Sequence, residues 1–218
     1  MDGIISWFRF VADNLDDVVD LSLEHLLLTF APVTLAIIVS VGLGIIFRHQ
    51  PAIQNLNLAI AGVFLTIPSL ALFSISIPLV GIGFWPAFIA LFLYAILPIL
   101  RNTATGLAEV DPAVLESARG MGLSATERLW KIELPLAWPV ILAGIRISML
   151  LTFGIAAIGA LVDAGGLGEF IAEGTSRFPL PTSVERVWTG SIFILVLALI
   201  TDRLLALTGR LTTSKGLT

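Results

Sequence analysis

The chain has 218 residues, of which 57% are hydrophobic and only 13% charged, and its formal net charge is −4. A soluble domain carries roughly a quarter charged residues, so much of the expected charge is missing. No Asp, Glu, Lys or Arg occurs between Arg48 and Arg101. A helix needs about 20 apolar residues to cross a bilayer, and this stretch is long enough for two crossings. The composition therefore excludes a soluble protein and indicates an integral membrane protein.

Several kinds of site are excluded by residue type. The sequence contains no cysteine, which rules out disulfides, thiolate chemistry and cysteine metal ligands. The basic residues form no dense patch, so nucleic acid is not an expected partner. His25 and His49 lie at opposite ends of the first apolar segment, without the spacing of a hydrolytic triad or a metal site. We therefore expect no catalytic residues and no metal ligands, which argues against an intramembrane hydrolase.

The first segment of the chain is amphipathic. No basic region precedes an apolar core, so the pattern is not that of a signal peptide. Apolar residues at helical spacing, with aspartates on other faces, predict a helix over residues 3–19 that lies on the membrane surface. A disordered leader is the alternative. The apolar positions of the predicted helix are Ile4, Trp7, Phe8, Val11 and Leu15.

Five hydrophobic segments follow, and they predict an all-α polytopic membrane protein with about five transmembrane helices. The segments are residues 21–47, 57–80, 84–100, 138–162 and 188–207. Prolines interrupt the second segment at Pro68 and Pro78 and the third at Pro86 and Pro98. Such breaks persist in membrane helices where neighbouring protein or a water-lined cavity satisfies the freed backbone groups. The prolines either line such a cavity or only kink packing helices.

The basic residues predict the orientation. With five spans the termini lie on opposite sides of the membrane, and an external N-terminus places eight basic residues on the cytoplasmic side and three on the outer side. Under the positive-inside rule this orientation is favoured, so residues 101–137 face the cytoplasm. The cytoplasmic set is Arg48, Arg101, Arg119, Arg128, Lys131, Arg203, Arg210 and Lys215, and the outer set is Arg9, Arg177 and Arg186.

The long cytoplasmic loop is predicted to form a helical hairpin. Asp111 followed by Pro112 is a favourable helix start, with the carboxylate as N-cap and proline in the first turn. Gly120 or Gly122 can end this helix. Ser124 and Glu127 have the spacing of a capping box, which predicts a second helix that runs to about Glu133 and stops before Pro135.

The turn of this hairpin carries two apolar side chains, Met121 and Leu123, without an obvious membrane partner. An apolar tip on a rigid, capped hairpin is typical of a docking surface for another protein. The alternative is that the hairpin folds back under its own bundle. Residue types alone leave both possibilities open.

The hairpin resembles a known signature. Glu116-Ser117-Ala118, three residues, Gly122, nine residues and Ile132-Glu133-Leu134-Pro135 are similar to the coupling loop of ABC importer permeases, whose pattern is Glu-Ala-Ala, three residues, Gly, nine residues, Ile, any residue, Leu, Pro. Every spacing agrees, and the one departure is Ser117 in place of alanine. The resemblance covers roughly residues 30–205. It includes Ile67 to Leu72, Leu97 to Asn102 and Gly159 to Gly168, and it is strongest to osmoprotectant permeases for glycine betaine, carnitine and choline.

The resemblance implies both the fold and the partners. The fold would be that of binding-protein-dependent importers of the methionine-importer type, in a bacterial inner membrane. Two permeases, either two copies of this chain or this chain with a related one, would each dock on a cytoplasmic ATPase, and an external binding protein would deliver the solute. ATP and Mg²⁺ would bind to the ATPase, and this chain would bind no cofactor. The residues implied in ATPase coupling are Glu116, Ser117, Ala118, Met121, Gly122 and Leu123, with Ile132, Leu134 and Pro135 fixing how the hairpin joins the fourth span.

The resemblance also defines an expected layout of one transmembrane domain over residues 1–218. An external or interfacial helix (1–20) precedes spans one to three (21–107), the coupling loop (108–137), spans four and five (138–207) and a cytoplasmic tail (208–218). Pro68, Ser69 and Phe73 are candidate pathway residues. The Gly165 to Gly168 turn either packs closely or forms part of the face on which the binding protein docks.

Other transport classes are less consistent with the sequence. Neither of the two lysines lies in a phosphate-binding G-x-x-x-x-G-K-[ST] loop, so ATP hydrolysis by this chain is not expected. Proton-driven carriers place carboxylates or histidines inside the bilayer, whereas Arg146 is essentially the one ionisable group predicted in the membrane core here. Arg146 could snorkel to the interface, pair with a loop carboxylate or line the pathway. The remaining alternatives are an amino-acid permease of the same class, for instance for methionine, and a self-sufficient channel or secondary carrier.

Overall fold

The computed structural model describes residues 2–212, with side chains from residue 3, and this part of the chain is all helical. It contains ten α-helices, one π-helical turn (Leu129–Glu133) and one 3₁₀ segment (Ala157–Val162). The α-helices are α1 (Asp2–Asp13), α2 (Leu15–Ile46), α3 (Pro51–Thr66), α4 (Ser69–Val80), α5 (Phe84–Ala108), α6 (Pro112–Gly120), α7 (Ala125–Arg128), α8 (Leu134–Ala156), α9 (Gly168–Ser176) and α10 (Ser183–Thr212).

The helices provide up to five membrane crossings. Four helical stretches are long and apolar enough to span a bilayer: α2, α5, the stretch from α7 through α8 to Val162, and α10. The helices α3 and α4 meet that requirement only together, and they are bent by 98° at the break between them. The predicted all-α polytopic fold with about five spans is confirmed.

The first helix is shorter than predicted. Helix α1 ends at Asp13, and Leu15 already begins α2, so the predicted limit at residue 19 is wrong. Asn14 separates the two helices, and its side-chain amide donates to the carbonyl of Phe10 at 2.7 Å. An asparagine that bonds its own preceding turn competes with helix propagation, which ends α1 there.

The second span is broken at Pro68, as the sequence predicts. Proline cannot donate a backbone hydrogen bond, and it restricts the preceding residue to an extended conformation. Ile67 has that conformation, with φ −74° and ψ 130°. Its carbonyl oxygen accepts a hydrogen bond from the hydroxyl of Tyr94 on α5. A neighbouring span thus satisfies the backbone group that the break would otherwise leave unpaired in the membrane.

The centre of the bundle consists of α2, α5 and α8. These helices approach so closely that a β-carbon on Gly44 would lie 2.5 Å from Thr103, and one on Gly144 would lie 2.7 Å from the Pro98 carbonyl. The Ser148 hydroxyl also donates to the carbonyl of Ala95 at 2.7 Å, near Pro98, which lies inside α5 without ending it. Small residues and inter-helix hydrogen bonds of this kind are the usual basis of helix packing in membranes.

The helix connections divide the bundle into two ends. The hairpin α6–α7 defines one end, because α5 leads into it and α8 leaves it. The C-terminal ends of α2 and α10 lie at this end too, since they contact residues 133 and 138 at the start of α8. The Trp138 indole at the start of α8 donates to Thr212 at the end of α10 (2.7 Å). At the other end, Trp7 of α1 donates to Thr189 of α10 (3.0 Å). Of the predicted tail 208–218, residues 208–212 belong to α10, and 213–218, including Lys215, lie outside the described residues.

Arg146 forms an ion pair between two spans, with its own side chain 38% exposed. Its Nε lies 2.8 Å from Oδ1 of Asp202 and its Nη2 lies 3.0 Å from Oδ2. The carboxylate comes from α10, so of the three alternatives for Arg146, pairing with a carboxylate of the cytoplasmic loop is wrong. Asp202 falls within the predicted fifth span, so the expectation that Arg146 is essentially the one ionisable group in the membrane core is wrong. A paired charge is far less costly in a membrane than an isolated one, and the two-point contact joins α8 to α10.

Candidate functional site: the coupling hairpin

We define the coupling hairpin as residues 109–135. Its first helix, α6, begins as predicted: the Asp111 carboxylate accepts a hydrogen bond from the Ala113 backbone at 2.8 Å, and Pro112 occupies the first turn. The cap satisfies a backbone donor that the helix itself leaves free, and the proline costs no hydrogen bond at that position. The start of the hairpin is therefore set by local sequence.

The turn that follows explains the motif spacing. The Leu123 N–H donates to the Ala118 carbonyl (3.2 Å) and the Gly122 N–H to the Arg119 carbonyl (2.9 Å). These two bonds form a Schellman motif, which requires a positive φ at the residue that donates the second bond. Gly122 is that residue, with φ +83°. The three residues between Ala118 and Gly122 are thus the number that this helix termination needs.

The second hairpin helix begins with the predicted capping box. The Glu127 backbone donates to the Ser124 hydroxyl (3.3 Å), and the Ser124 backbone donates to the Glu127 carboxylate (3.0 Å). This hydrogen bond from Ser124, together with the hydrogen bond and charge of Lys131, lowers the pKa of Glu127 to about 2. The carboxylate therefore remains ionised at any physiological pH, and the cap persists.

The chain does not leave the helical path before Pro135, contrary to the prediction. Helix α7 continues through the π-helical turn directly into α8, and Pro135 lies in the first turn of α8. In the π turn the Leu134 N–H bonds the carbonyl of Leu129, five residues back. Proline in a regular helix clashes with the carbonyl four residues before it. The wider turn immediately before Pro135 is one way to admit a proline without ending the helix.

The tip and the root of the hairpin differ in exposure. Met121 at the tip is 70% exposed, and Glu116 and Ser117 are also exposed, whereas Ala118 is buried and Leu123 half-buried. At the root, Leu129 is buried in the hydrophobic core with residues of α2, α5 and α8. Ile132 and Leu134 are half-buried and Pro135 is exposed. The hairpin is thus held by the bundle at its root and presents an apolar methionine at its tip.

The candidate pathway residues lie at the break between α3 and α4. Pro68 is exposed and Ser69 is half-buried. Phe73 is fully buried in a cluster with residues of α2 and α5. The assignment of Phe73 to a pathway stays a prediction, and its burial in this conformation does not favour it.

The opposite end of the bundle carries a glycine-rich turn, which we call the distal turn (residues 163–168). Gly165 and Gly166 both have φ +83°, and the Gly166 N–H donates to the Glu24 carboxylate at 3.0 Å. A β-carbon on Gly168 would overlap the Ala157 carbonyl, and Leu167 is fully buried. The turn therefore packs closely against α2 and the 3₁₀ segment, which agrees with the first of its two predicted roles.

Three features near these sites were missed by sequence reasoning. They are the π turn, an ion pair between Arg48 and Glu133 at the hairpin root, and helix α9 after the distal turn. The only local signal for the π turn is the Glu133-Leu134-Pro135 run inside a helical pattern. The ion pair has no local signal, because its partners belong to separate elements.

The family follows from a direct comparison. Residues 33–213 match the family described as binding-protein-dependent transport system inner membrane component. The chain belongs to this family, and it is a permease subunit of an ABC importer, located in the inner membrane with several spans.

Relatives of known function extend the comparison. The glycine betaine/carnitine/choline transport system permease protein OpuCB of Bacillus subtilis is 39% identical over 194 residues, which cover 89% of this chain and 88% of the relative. The osmoprotectant import permease protein OsmW of Salmonella typhimurium is 38% identical over 96% of this chain and 98% of its own length. The choline transport system permease protein OpuBB of Bacillus subtilis is 35% identical over 96% and 94%.

A solved structure shows the same fold. The MetNI methionine ABC transporter, in an inward-facing conformation, contains a chain with a TM-score of 0.72 and 26% identity to this one. The similarity covers 94% of this chain and 97% of that chain. The expected methionine-importer-like fold is confirmed.

Proposed function

We propose that this chain forms half of the translocation pathway of an importer and receives force from a cytoplasmic ATPase at the coupling hairpin. The observation that carries the proposal is the exposed Met121 at the tip of a locally capped turn whose geometry depends on Gly122. Methionine is a polarizable, adaptable contact residue, and the absence of a glycine side chain lets a partner surface approach the turn closely.

The mechanism follows from the rigidity of the hairpin. Closure of two ATPase subunits on ATP would draw two hairpins together, one from each permease of a pair. Because α7, the π turn and α8 form one helical path, a displaced hairpin would tilt α8 and the bundle packed on it. Such a rigid-body change between inward and outward states is driven by differential contacts in the two states. ATP and Mg²⁺ act on the ATPase, and the work of this chain is mechanical.

The proposed orientation places the hairpin in the cytoplasm and the N-terminus outside. Two groupings support it: the basic residues Arg48, Arg101 and Arg210 belong to the hairpin end of the bundle, and Arg9, Arg177 and Arg186 to the distal end. The distal end would then be the face that meets the external binding protein.

We propose a quaternary ammonium osmoprotectant as the solute, either glycine betaine, carnitine or choline. The names of three relatives that cover nearly all of the chain support this class. An amino acid such as methionine is the alternative, since the similar solved structure belongs to a methionine transporter.

The solute is tested by uptake. Proteoliposomes would contain this chain with its ATPase and binding protein, and ATP inside. Labelled glycine betaine, carnitine, choline and methionine would be compared at equal concentration. We expect ATP-dependent accumulation of at least one quaternary ammonium compound and none of methionine. Accumulation of methionine alone would contradict the substrate proposal.

The coupling role is tested by a pair of glycine variants. Neither Gly120 nor Gly122 has any atom within 4 Å of a β-carbon built on it, but only Gly122 has a positive φ. Gly122→Val is expected to abolish ATP-driven uptake while the protein remains in the membrane, because a left-handed residue with a side chain costs about 1–2 kcal/mol. Gly120→Val, the matched control, should retain uptake. Normal uptake by Gly122→Val would count against the assigned coupling site.

A further inference from the structure

An ion pair joins the coupling hairpin to the first span. The Nε of Arg48, just beyond the end of α2, lies 3.3 Å from Oε2 of Glu133, the last residue of the π turn. The two side chains are 18% and 9% exposed. The Arg48 Nε–H is not aligned for a hydrogen bond, so the contact is a charge pair. The pair therefore links two elements that are far apart in sequence and lies largely out of water.

Arg48 is fixed on the α2 side by a second contact. Its Nη1 donates to the carbonyl of Ile45 at 2.8 Å, in the last turn of α2. A cation at a helix C-terminus is favoured by the helix dipole and by the free carbonyls there. The guanidinium thus holds the end of α2 with one nitrogen and faces Glu133 with another. Any displacement of Glu133 is opposed by a group that is anchored to α2.

Glu133 lies at the point where the hairpin joins α8. The π turn holds Leu129 at its start and Glu133 at its end, and Leu129 is buried against α2, α5 and α8. A π turn is a local widening of the helix and often marks a functional site. The hairpin beyond it is exposed at its tip. The π turn is therefore where movement of the tip must be converted into movement of the spans.

Buried ion pairs are poor stabilisers of a fold. Desolvation offsets most of their attraction, and replacing such a pair by apolar residues of similar volume is often neutral or stabilising. Removing one partner alone is costly, since it leaves a buried charge uncompensated. A pair at a moving joint can instead act by keeping two elements in register.

We propose that Arg48 and Glu133 are positioning residues that make α2 move with the coupling hairpin, in addition to the direct connection of the hairpin to α8. This inference rests on the proposed function, because it needs a hairpin that is driven by an ATPase. It assigns the loop after the first span a part in coupling, through Glu133 at the position where the coupling signature accepts any residue.

The experiment compares four versions of the reconstituted importer with its ATPase and binding protein: the unchanged chain, Arg48→Met/Glu133→Leu, Arg48→Glu/Glu133→Arg and Arg210→Gln. The apolar double variant keeps the volume of the site and removes both charges, so it avoids an unpaired buried charge. The exchanged variant places the acidic side chain at position 48 and the basic one at position 133, so the attraction between the two positions is restored. Arg210 is an exposed arginine at the hairpin end of the bundle and serves as the matched control.

The readout is solute accumulated per ATP hydrolysed, together with the thermal stability of each purified chain. The apolar double variant is expected to keep the stability of the chain and the ATPase activity of the reconstituted importer. The solute accumulated per ATP should fall about fivefold or more, the lower range of typical coupling between sites. The Arg48→Glu/Glu133→Arg variant should recover part of the lost solute-per-ATP ratio. The control Arg210→Gln should keep the ratio of the unchanged chain.

Two results would overturn the proposal. One is an unchanged ratio in the apolar double variant, which would mean that the pair is only packing. The other is a fall in solute per ATP that is accompanied, in both double variants, by an equal loss of thermal stability. Failure of the unchanged chain to accumulate solute with ATP would instead contradict the proposed function itself, so the two failures are distinguishable.

Discussion

The two ends of the bundle are built in different ways. The coupling hairpin takes its shape from its own residues: a cap at Asp111, a Schellman turn at Gly122 and a capping box between Ser124 and Glu127. The distal turn takes its shape from its neighbours, with the Glu24 carboxylate on one side and the Ala157 backbone on the other. A hairpin that holds its own shape can leave its tip exposed to a partner, whereas the distal turn cannot move without disturbing α2.

The largest expected effect is at the distal turn. Gly168→Ala should destabilise the protein by about 3 kcal/mol, because the added β-carbon overlaps the Ala157 carbonyl and backbone cannot give way easily. Thermal unfolding in detergent measures this. The control is Gly154→Ala in α8, where nothing lies within 4 Å and alanine is the better helix former. Equal stability of the two variants would show that the distal turn is not tightly packed.

A smaller effect is expected at the hairpin. Ser124→Ala removes the acceptor of the Glu127 N–H and should cost about 1 kcal/mol of local stability. Amide hydrogen exchange in α7 should speed up while the global unfolding temperature stays nearly constant. Thr126→Ala in the same turn is the control, since its exposed side chain is not part of the capping box. A large drop in global stability would contradict the view that the hairpin is locally held.

The smallest effect is a pH dependence of opposite sign in the two regions. The pKa of Glu127 is lowered to about 2, so its stabilising contribution is complete above the unfolded value of 4.5 and is lost as pH falls through about 2. The pKa of Glu169, beside the distal turn, is raised by burial and then by the charges of Glu24, Glu173 and Asp163. The stabilising contribution of the protonated Glu169 side chain is complete below pH 4.5 and is lost as the pH rises through the raised pKa.

Matched glutamine variants measure this difference. Glu169→Gln should stabilise the protein at neutral pH and flatten the loss of stability above pH 4.5. Glu127→Gln should lower stability at neutral pH and remove the dependence at low pH. The same pH profile in both variants would show that the two carboxylates have similar surroundings.

The comparison also shows what could be predicted from the sequence. The spans follow from runs of apolar residues, and the hairpin caps follow from residues at most three positions apart, so both were predictable. The end of the hairpin was predicted wrongly, because Pro135 normally breaks a helix, whereas here a π turn precedes it and the helical path continues into α8. The pairs Arg146–Asp202, Arg48–Glu133 and Glu24–Gly166 each join distant elements. Nothing in a local pattern specifies them, because they depend on how α2, α8 and α10 pack.

The most direct test of the central claim is the sidedness of the hairpin tip. The chain has no native cysteine, so Met121→Cys and Ser176→Cys each provide a single label site, at the hairpin tip and at the distal end. With a membrane-impermeant maleimide, Met121→Cys should react in inside-out vesicles, should be protected when the ATPase is bound, and should stay unlabelled in intact cells, where Ser176→Cys reacts. Labelling of Met121→Cys from outside intact cells would contradict a hairpin that receives force from a cytoplasmic motor.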